Sequence, residues 1–148
     1  MTRVDVQLAP SASSVSEPAA GDTPVREPVR RAMAVCQVEV AIAVVGGAWK
    51  MTIAKHLAEA TMRFGQLRRA VGEVSERTLA RQLRELEADG VVHRRVYAEV
   101  PPRVEYSLTD LGRTLVPLVG ALDEWGAAYL HQVSAAESGH GAGSGRAG

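Results

Sequence analysis

The chain carries a single cysteine, Cys36, so no disulfide can close within it and any bridge must be intermolecular. No apolar run approaches the roughly 18 residues of a membrane span. Residues 1–31 contain no apolar segment of the secretory type. A cytoplasmic protein with no membrane association is therefore expected. His56, His93, His131 and His140 are scattered without metal-ligand spacing, so no zinc site, other metal or cofactor is expected. A nucleotide-binding glycine loop, HExxH, GxSxG and a paired carboxylate are all missing, which argues against an enzyme. Net charge is missing as well: 17 Lys and Arg balance 17 Asp and Glu. That balance argues against a nonspecific polybasic binder.

What is present is local. The 148 residues are enough for one domain, and 46% hydrophobic with 23% charged is ordinary for a soluble globular chain. Between Arg63 and Arg103 stand nine arginines against six acids, a modest positive excess. Residues 1–31 are rich in Ala, Ser, Pro, Glu and Val without periodicity and read as a disordered tail. Residues 134–148 read as a flexible Gly/Ala/Ser tail, which leaves a folded domain over 32–133.

Within that domain the stretch Ser75 to Gly90 is one amphipathic helix. Leu79, Leu83 and Leu86 form an apolar stripe, while Arg77, Arg81 and Arg84 repeat the spacing opposite, with Thr78 and Gln82 beside them. Ser75 suits the N-cap, Glu76 the positive helix start and Gly90 the stop. Such a helix could lie in a DNA major groove; alternatively, the arginines are an ordinary solvated face. Preceding it, Val35 to Val45 places Val35, Val38, Ile42 and Val45 on one face, and Gly46-Gly47 ends it. Trp49 to Glu59 buries Trp49, Ile53 and Leu57; Phe64 to Val71 buries Phe64, Leu67 and Val71 and exposes Gln66, Arg68 and Arg69. A short turn through Gly72 then leads into the Ser75 helix, a helix-turn-helix arrangement.

After Gly90 the pattern becomes extended. Val91 to Tyr97 and Arg103 to Leu108 are β-branched and basic, and Pro101-Pro102 mark the loop tip between them. The fold class that follows is mainly α with a small β-hairpin wing, a winged helix-turn-helix. Arg94, Arg95 and Arg103 would reach phosphates or a minor groove; a hairpin that only caps the core is the alternative. Thr109 or Asp110 caps a last helix. There Leu111, Leu115, Leu118, Leu122, Trp125 and Tyr129 make a heptad seam suited to a partner helix from a second copy. Pro117 should kink or break this helix near Arg113.

Taken in order, these pieces resemble the HxlR-type regulators, a branch of winged-helix proteins related to the MarR type. The resemblance is carried by Cys36-Gln-Val-Glu39, Val45-Gly-Gly-Ala-Trp49, Arg63-Phe-Gly-Gln-Leu-Arg-Arg69 and Ser75-Glu-Arg-Thr-Leu79. It continues through Leu83-Arg-Glu-Leu-Glu-Ala-Asp-Gly90, Tyr97 to Thr109 and Leu111-Gly112. The chain departs from the family pattern at Gln37, where Pro is usual, at Ala48, and in Glu59 to Met62, which lacks a Gly-Pro turn.

The resemblance implies a homodimeric, sequence-specific regulator on double-stranded DNA, with dimerisation helices at both ends of the domain; repression by blocking polymerase is the expected mode, because no separate activation segment is visible. It puts Val38, Ile42, Leu115, Leu118, Leu122, Trp125 and Tyr129 at the dimer interface. The implied DNA-facing set is Ser75, Arg77, Thr78, Arg81 and Gln82, with Arg103 on the wing and Arg68 and Arg69 as phosphate contacts. Two recognition helices related by a two-fold predict a pseudo-palindromic operator with half-sites roughly 34 Å apart. Cys36 has two readings. By resemblance it senses oxidants or electrophiles as a thiolate at a helix start, aided by Arg30 and Arg31. By residue type it is a small structural hydrophobe. If it is structural, a small-molecule effector remains, for which Trp49, Trp125 and Tyr129 could line a pocket. A winged helix used for protein–protein contact is the other alternative.

Overall fold

Leu79, Leu83 and Leu86 are almost fully buried, and the remaining elements assemble around the helix that carries them. In the computed structural model, which describes residues 24–140, seven helices and three short strands follow one another. They are α1 (Glu27–Met33), α2 (Gln37–Val45), α3 (Lys50–Glu59), β1 (Met62–Arg63), α4 (Phe64–Val71) and α5 (Glu76–Ala88). β2 (Val92–Tyr97), β3 (Arg103–Leu108), α6 (Asp110–Arg113) and α7 (Val116–His140) complete the order. The core joins Ile53, Ala54 and Leu57 of α3 and Leu67 and Val71 of α4 to the α5 leucines, with Val91, Val92, Tyr106 and Leu108 from the sheet side. Each buried leucine contributes about 1.5–3 kcal/mol.

The helix-turn-helix and hairpin form where periodicity puts them. Ser75 caps α5 by accepting the Thr78 amide, and Gly90 takes φ +74° to end it. β2 and β3 pair antiparallel from Val92↔Leu108 to Tyr97↔Arg103. At the last helix Thr109 accepts the Gly112 amide, and Gly112 is obligatory because a Cβ there would run into the Val91 carbonyl. The helix breaks between α6 and α7, and Pro117 occupies the first turn of α7, where its missing N–H costs nothing.

Several boundaries differ from the sequence reading. The supposed tail of residues 1–31 overlaps α1, whose Val29 and Ala32 are buried; its first 23 residues lie outside the described region. α7 runs on to His140 through the start of the segment assigned as a flexible tail from 134; residues 141–148 are likewise outside the description. α2 starts at Gln37, so Val35 precedes the helix and Cys36 is its N-cap. β1, read as a loop, pairs with β3 through Met62↔Tyr106 and Arg63↔Glu105. It makes the hairpin a three-stranded sheet in the order β1-β3-β2.

Candidate nucleic-acid interface

The outer face of α5 presents Arg77, Arg81 and Arg84, all exposed, with Thr78 half-buried beside them. Among the described residues none of these arginines, nor Arg69 or Arg94, makes a salt bridge. Ser75 and Thr78 are tied to one another: the Ser75 hydroxyl accepts the Thr78 amide at 3.1 Å and bonds its hydroxyl at 2.9 Å. Gln82 does not belong to this face. It is buried, and among the described residues its Oε1 has no hydrogen-bond partner. Position 82 stands three residues after Leu79 and four before Leu86, both fully buried, so it turns inward toward Gly47.

Arg68 is exposed but committed. Its Nη1 donates to Glu76 at 3.0 Å and its Nε to the Val74 carbonyl at 3.4 Å. The side chain thus bridges the turn between α4 and α5 and holds the two helices in register. On the wing, Arg94 and Arg95 are exposed, and the Arg95 guanidinium sits 4.7 Å from the Tyr97 ring centre. Arg103 is not the free cation expected beside the loop. Its guanidinium lies 3.9 Å from the Tyr97 ring centre and pairs with Glu99 at 3.2 Å and Glu105 at 3.7 Å. An open cleft of about 430 Å³ separates this loop from the start of α4, lined by Arg63, Phe64, Gly65 and the loop residues Glu99 to Val104.

A part-buried ionic cluster behind α5 escaped the sequence reading. Arg26, ahead of α1, donates Nε to both Asp89 carboxylate oxygens at 2.8 and 2.9 Å and Nη2 to the Ala43 carbonyl at 3.0 Å. Lys50, only 3% exposed, pairs with Glu85 at 2.7 Å. The hydrogen bond with Asp89 raises the Arg26 pKa further above its ordinary value, against the opposing effect of burial. The Lys50 hydrogen bond lowers that of Glu85, helped by the charges of Lys50, Arg26 and Arg81. Four elements meet here: the start of α1, α2, α3 and the C-terminal half of α5. The signal was available in part, because Lys50 falls on the Ile53–Leu57 stripe of α3, where a charge needs a buried partner.

Away from α5, an apolar surface is left uncovered in the single chain. Val38 and Ile42 of α2 are exposed, as are Leu118, Leu122, Trp125 and Tyr129 of α7. Trp125 and Tyr129 stack with ring centres 5.5 Å apart. Leu115 departs from the seam, packing with Val119 against the chain's own core. Trp49 also packs on the core. Cys36 is exposed, next to exposed Met33, Val35 and Val38, and Arg31 pairs with Glu27 at 2.9 Å. Among the described residues no group of His, Cys, Asp and Glu could hold a metal ion. No single helix among them is long and apolar enough to cross a membrane.

The profile of the HxlR-like helix-turn-helix family matches residues 44–134, more than half of the chain. The chain belongs to this family. It is 52% identical over 91 residues to the HTH-type transcriptional regulator YybR of Bacillus subtilis (strain 168), covering 62% of this chain and 73% of that one. Among solved structures it is similar to the redox regulator HypR. The reduced form matches with TM-score 0.64 and 46% identity over 68% of this chain and 99% of that one. The oxidized form gives TM-score 0.60 and 50% identity over 63% and 96% of the two chains. With its winged helix-turn-helix and such relatives, the chain is a transcriptional regulator of the helix-turn-helix type.

Proposed function

We propose that this chain is a cytoplasmic, homodimeric repressor that binds a pseudo-palindromic operator through α5. The observation that carries the reading is the exposed arginine stripe Arg77–Arg81–Arg84, which no acidic residue among the described residues neutralises by a salt bridge. Arginines held on a rigid helix can bond guanine O6 and N7 in pairs, each such contact giving about 1–3 kcal/mol of discrimination. Ser75 and Thr78 complete the reading face at the helix start, and Arg69, Arg94 and Arg95 supply phosphate contacts. The two-fold is made by the apolar faces of α2 and α7: a second copy covers Val38, Ile42, Leu118, Leu122, Trp125 and Tyr129. Repression follows by occlusion of the promoter. No enzymatic step, metal or cofactor enters this reading.

The signal we propose is thiol oxidation at Cys36. The thiol is exposed at the N-cap of α2, within the surface assigned to the dimer. The likeness to a protein named as a redox regulator in oxidized and reduced forms supports this choice. The chain has one cysteine, so an oxidant yields either a disulfide to another molecule or a sulfenic acid.

The test is fluorescence anisotropy on the intergenic fragment beside the protein's own gene, at fixed salt, with reduced, diamide-treated and Cys36→Ser protein. Tight binding that diamide alters in the wild type but not in Cys36→Ser supports the whole reading. Tight binding indifferent to diamide retains the repressor and turns the search to a small-molecule effector. Absence of specific binding across candidate operators overturns the DNA reading in favour of protein–protein contact.

A further inference from the structure

We propose that Arg103 is a positioning residue of the wing, not a DNA contact. Clamped on Tyr97 between Glu99 and Glu105, it fixes the pose of an uncharged loop tip that meets DNA by shape. The inference rests on the DNA-binding reading and refines one of its sites.

The pair Tyr97↔Arg103 closes the hairpin at the base of the five-residue loop 98–102, and residues directly opposite in an antiparallel pair share a face. On that face the guanidinium lies 3.9 Å from the Tyr97 ring centre, within cation–π range. One carboxylate comes from the loop, Glu99 at 3.2 Å, and one from the strand, Glu105, which lies 3.7 Å from Nε as an ion pair without a hydrogen bond. Glu105 is also the register partner of Arg95 on β2 and of Arg63 on β1. Arg103 therefore ties the loop to the sheet.

The charge balance decides against a phosphate role. One guanidinium faces two carboxylates, so swinging it to a phosphate would take the cation from Glu99 and weaken the charge balance at Glu105 beside polyanionic DNA. The tip beyond it, Val100-Pro101-Pro102, has no charge, and Val100 is fully exposed. Apolar residues at such a position contact a minor groove by shape, and their effect depends on where the loop is held. Lysine is a poor substitute for the clamp, because an ammonium lacks the planar face with which a guanidinium stacks on the Tyr97 ring.

The experiment compares wild type, Arg103→Met, Arg103→Lys, Tyr97→Leu and the Arg103→Met/Tyr97→Leu double variant. Operator affinity is measured across a salt series, and amide hydrogen exchange of β2 and β3 is measured in the free proteins. Arg103→Met and Arg103→Lys should both weaken binding by about tenfold with an unchanged slope of log Kd against log salt. Tyr97→Leu should cost at least as much, because the ring also carries Arg95, and the double variant should cost no more than Tyr97→Leu alone. A slope shallower by about 0.9 in Arg103→Met, with affinity restored in Arg103→Lys, is the signature of a phosphate contact and overturns the proposal. Exchange at the loop end of the hairpin should quicken in Arg103→Met without DNA. If the wild type binds no operator, the DNA reading has failed, and unchanged exchange in Arg103→Met separately overturns the clamp.

Discussion

The Nε of Arg26 donates to both carboxylate oxygens of Asp89, at 2.8 and 2.9 Å, across a separation of 63 positions in the chain. Asp89 is the C-cap residue of α5, and the same guanidinium reaches the Ala43 carbonyl of α2. One side chain therefore fastens the segment ahead of α1 to both α5 and α2, the helix that follows Cys36. Removing one partner of a nearly buried pair leaves the other charge desolvated. Arg26→Met should lower the unfolding free energy by about 3 kcal/mol. Urea denaturation should report this as a lower midpoint at unchanged m. An unchanged midpoint would mean that α1 docks through Val29 and Ala32 alone.

The Lys50–Glu85 pair makes stability depend on pH. The Lys50 hydrogen bond holds the Glu85 carboxyl below its ordinary 4.5, so the unfolded chain takes up the proton first. This contribution is complete above the unfolded value and is lost as pH falls through the folded one. Glu85→Gln should flatten the acid limb of a stability–pH profile as pH falls below the ordinary carboxyl value of 4.5. It should also cost stability at neutral pH, since Lys50 is 3% exposed and left without its anion. Lys50→Met should cost less, because Glu85 reaches solvent and retains Arg26. Equal losses for the two variants would contradict that ordering.

The helix-turn-helix was legible because α4 and α5 each carry a clean 3.6-residue stripe, and the hairpin because its period switches at Gly90. The break before α7 was legible from Pro117. What was not legible depended on distant partners. Two residues of β1 are too few to show alternation, and they become a strand only because β3 offers an edge. α1 reads as tail by composition and is held by Arg26 through a contact far along the chain. Gln82 and Arg103 fall in the DNA-facing set by their place beside the arginine stripe and the wing loop and by the family resemblance. Gln82 is turned inward by its phase relative to Leu79 and Leu86, and Arg103 is taken up by acids that sequence alone did not rank as its partners.

Gln82 yields a test that separates the two faces of α5. Among the described residues no protein group hydrogen-bonds its buried Oε1, and a buried acceptor so placed adds little to stability. Gln82→Leu should be neutral or stabilising by up to about 1 kcal/mol, and should leave operator affinity unchanged within twofold. Arg81→Ala, one position away, should weaken binding by about 1–3 kcal/mol and relax preference at one base pair, with little change in thermal stability. Calorimetry together with a substituted-operator panel reads both quantities. A large loss of operator preference in Gln82→Leu would return that residue to the reading face.

The stacked Trp125 and Tyr129 bear on assembly. In the single chain Trp125 is 65% exposed and Tyr129 54% exposed, with Leu122 and Leu118 on the turns before them. An aromatic pair of this kind at the centre of an interface carries much of the binding energy, and Trp to Ala at such a place costs roughly 2–4 kcal/mol. Trp125→Glu adds an unpaired charge to that loss. Sedimentation equilibrium should show a dimer for the wild type and a monomer for Trp125→Glu at micromolar concentration, with far-ultraviolet ellipticity retained. Because a half-site alone binds weakly, the same variant should lose operator binding although every α5 arginine is intact. If Trp125→Glu stays dimeric, α7 is not the seam, and Val38 and Ile42 of α2 become the faces to charge next.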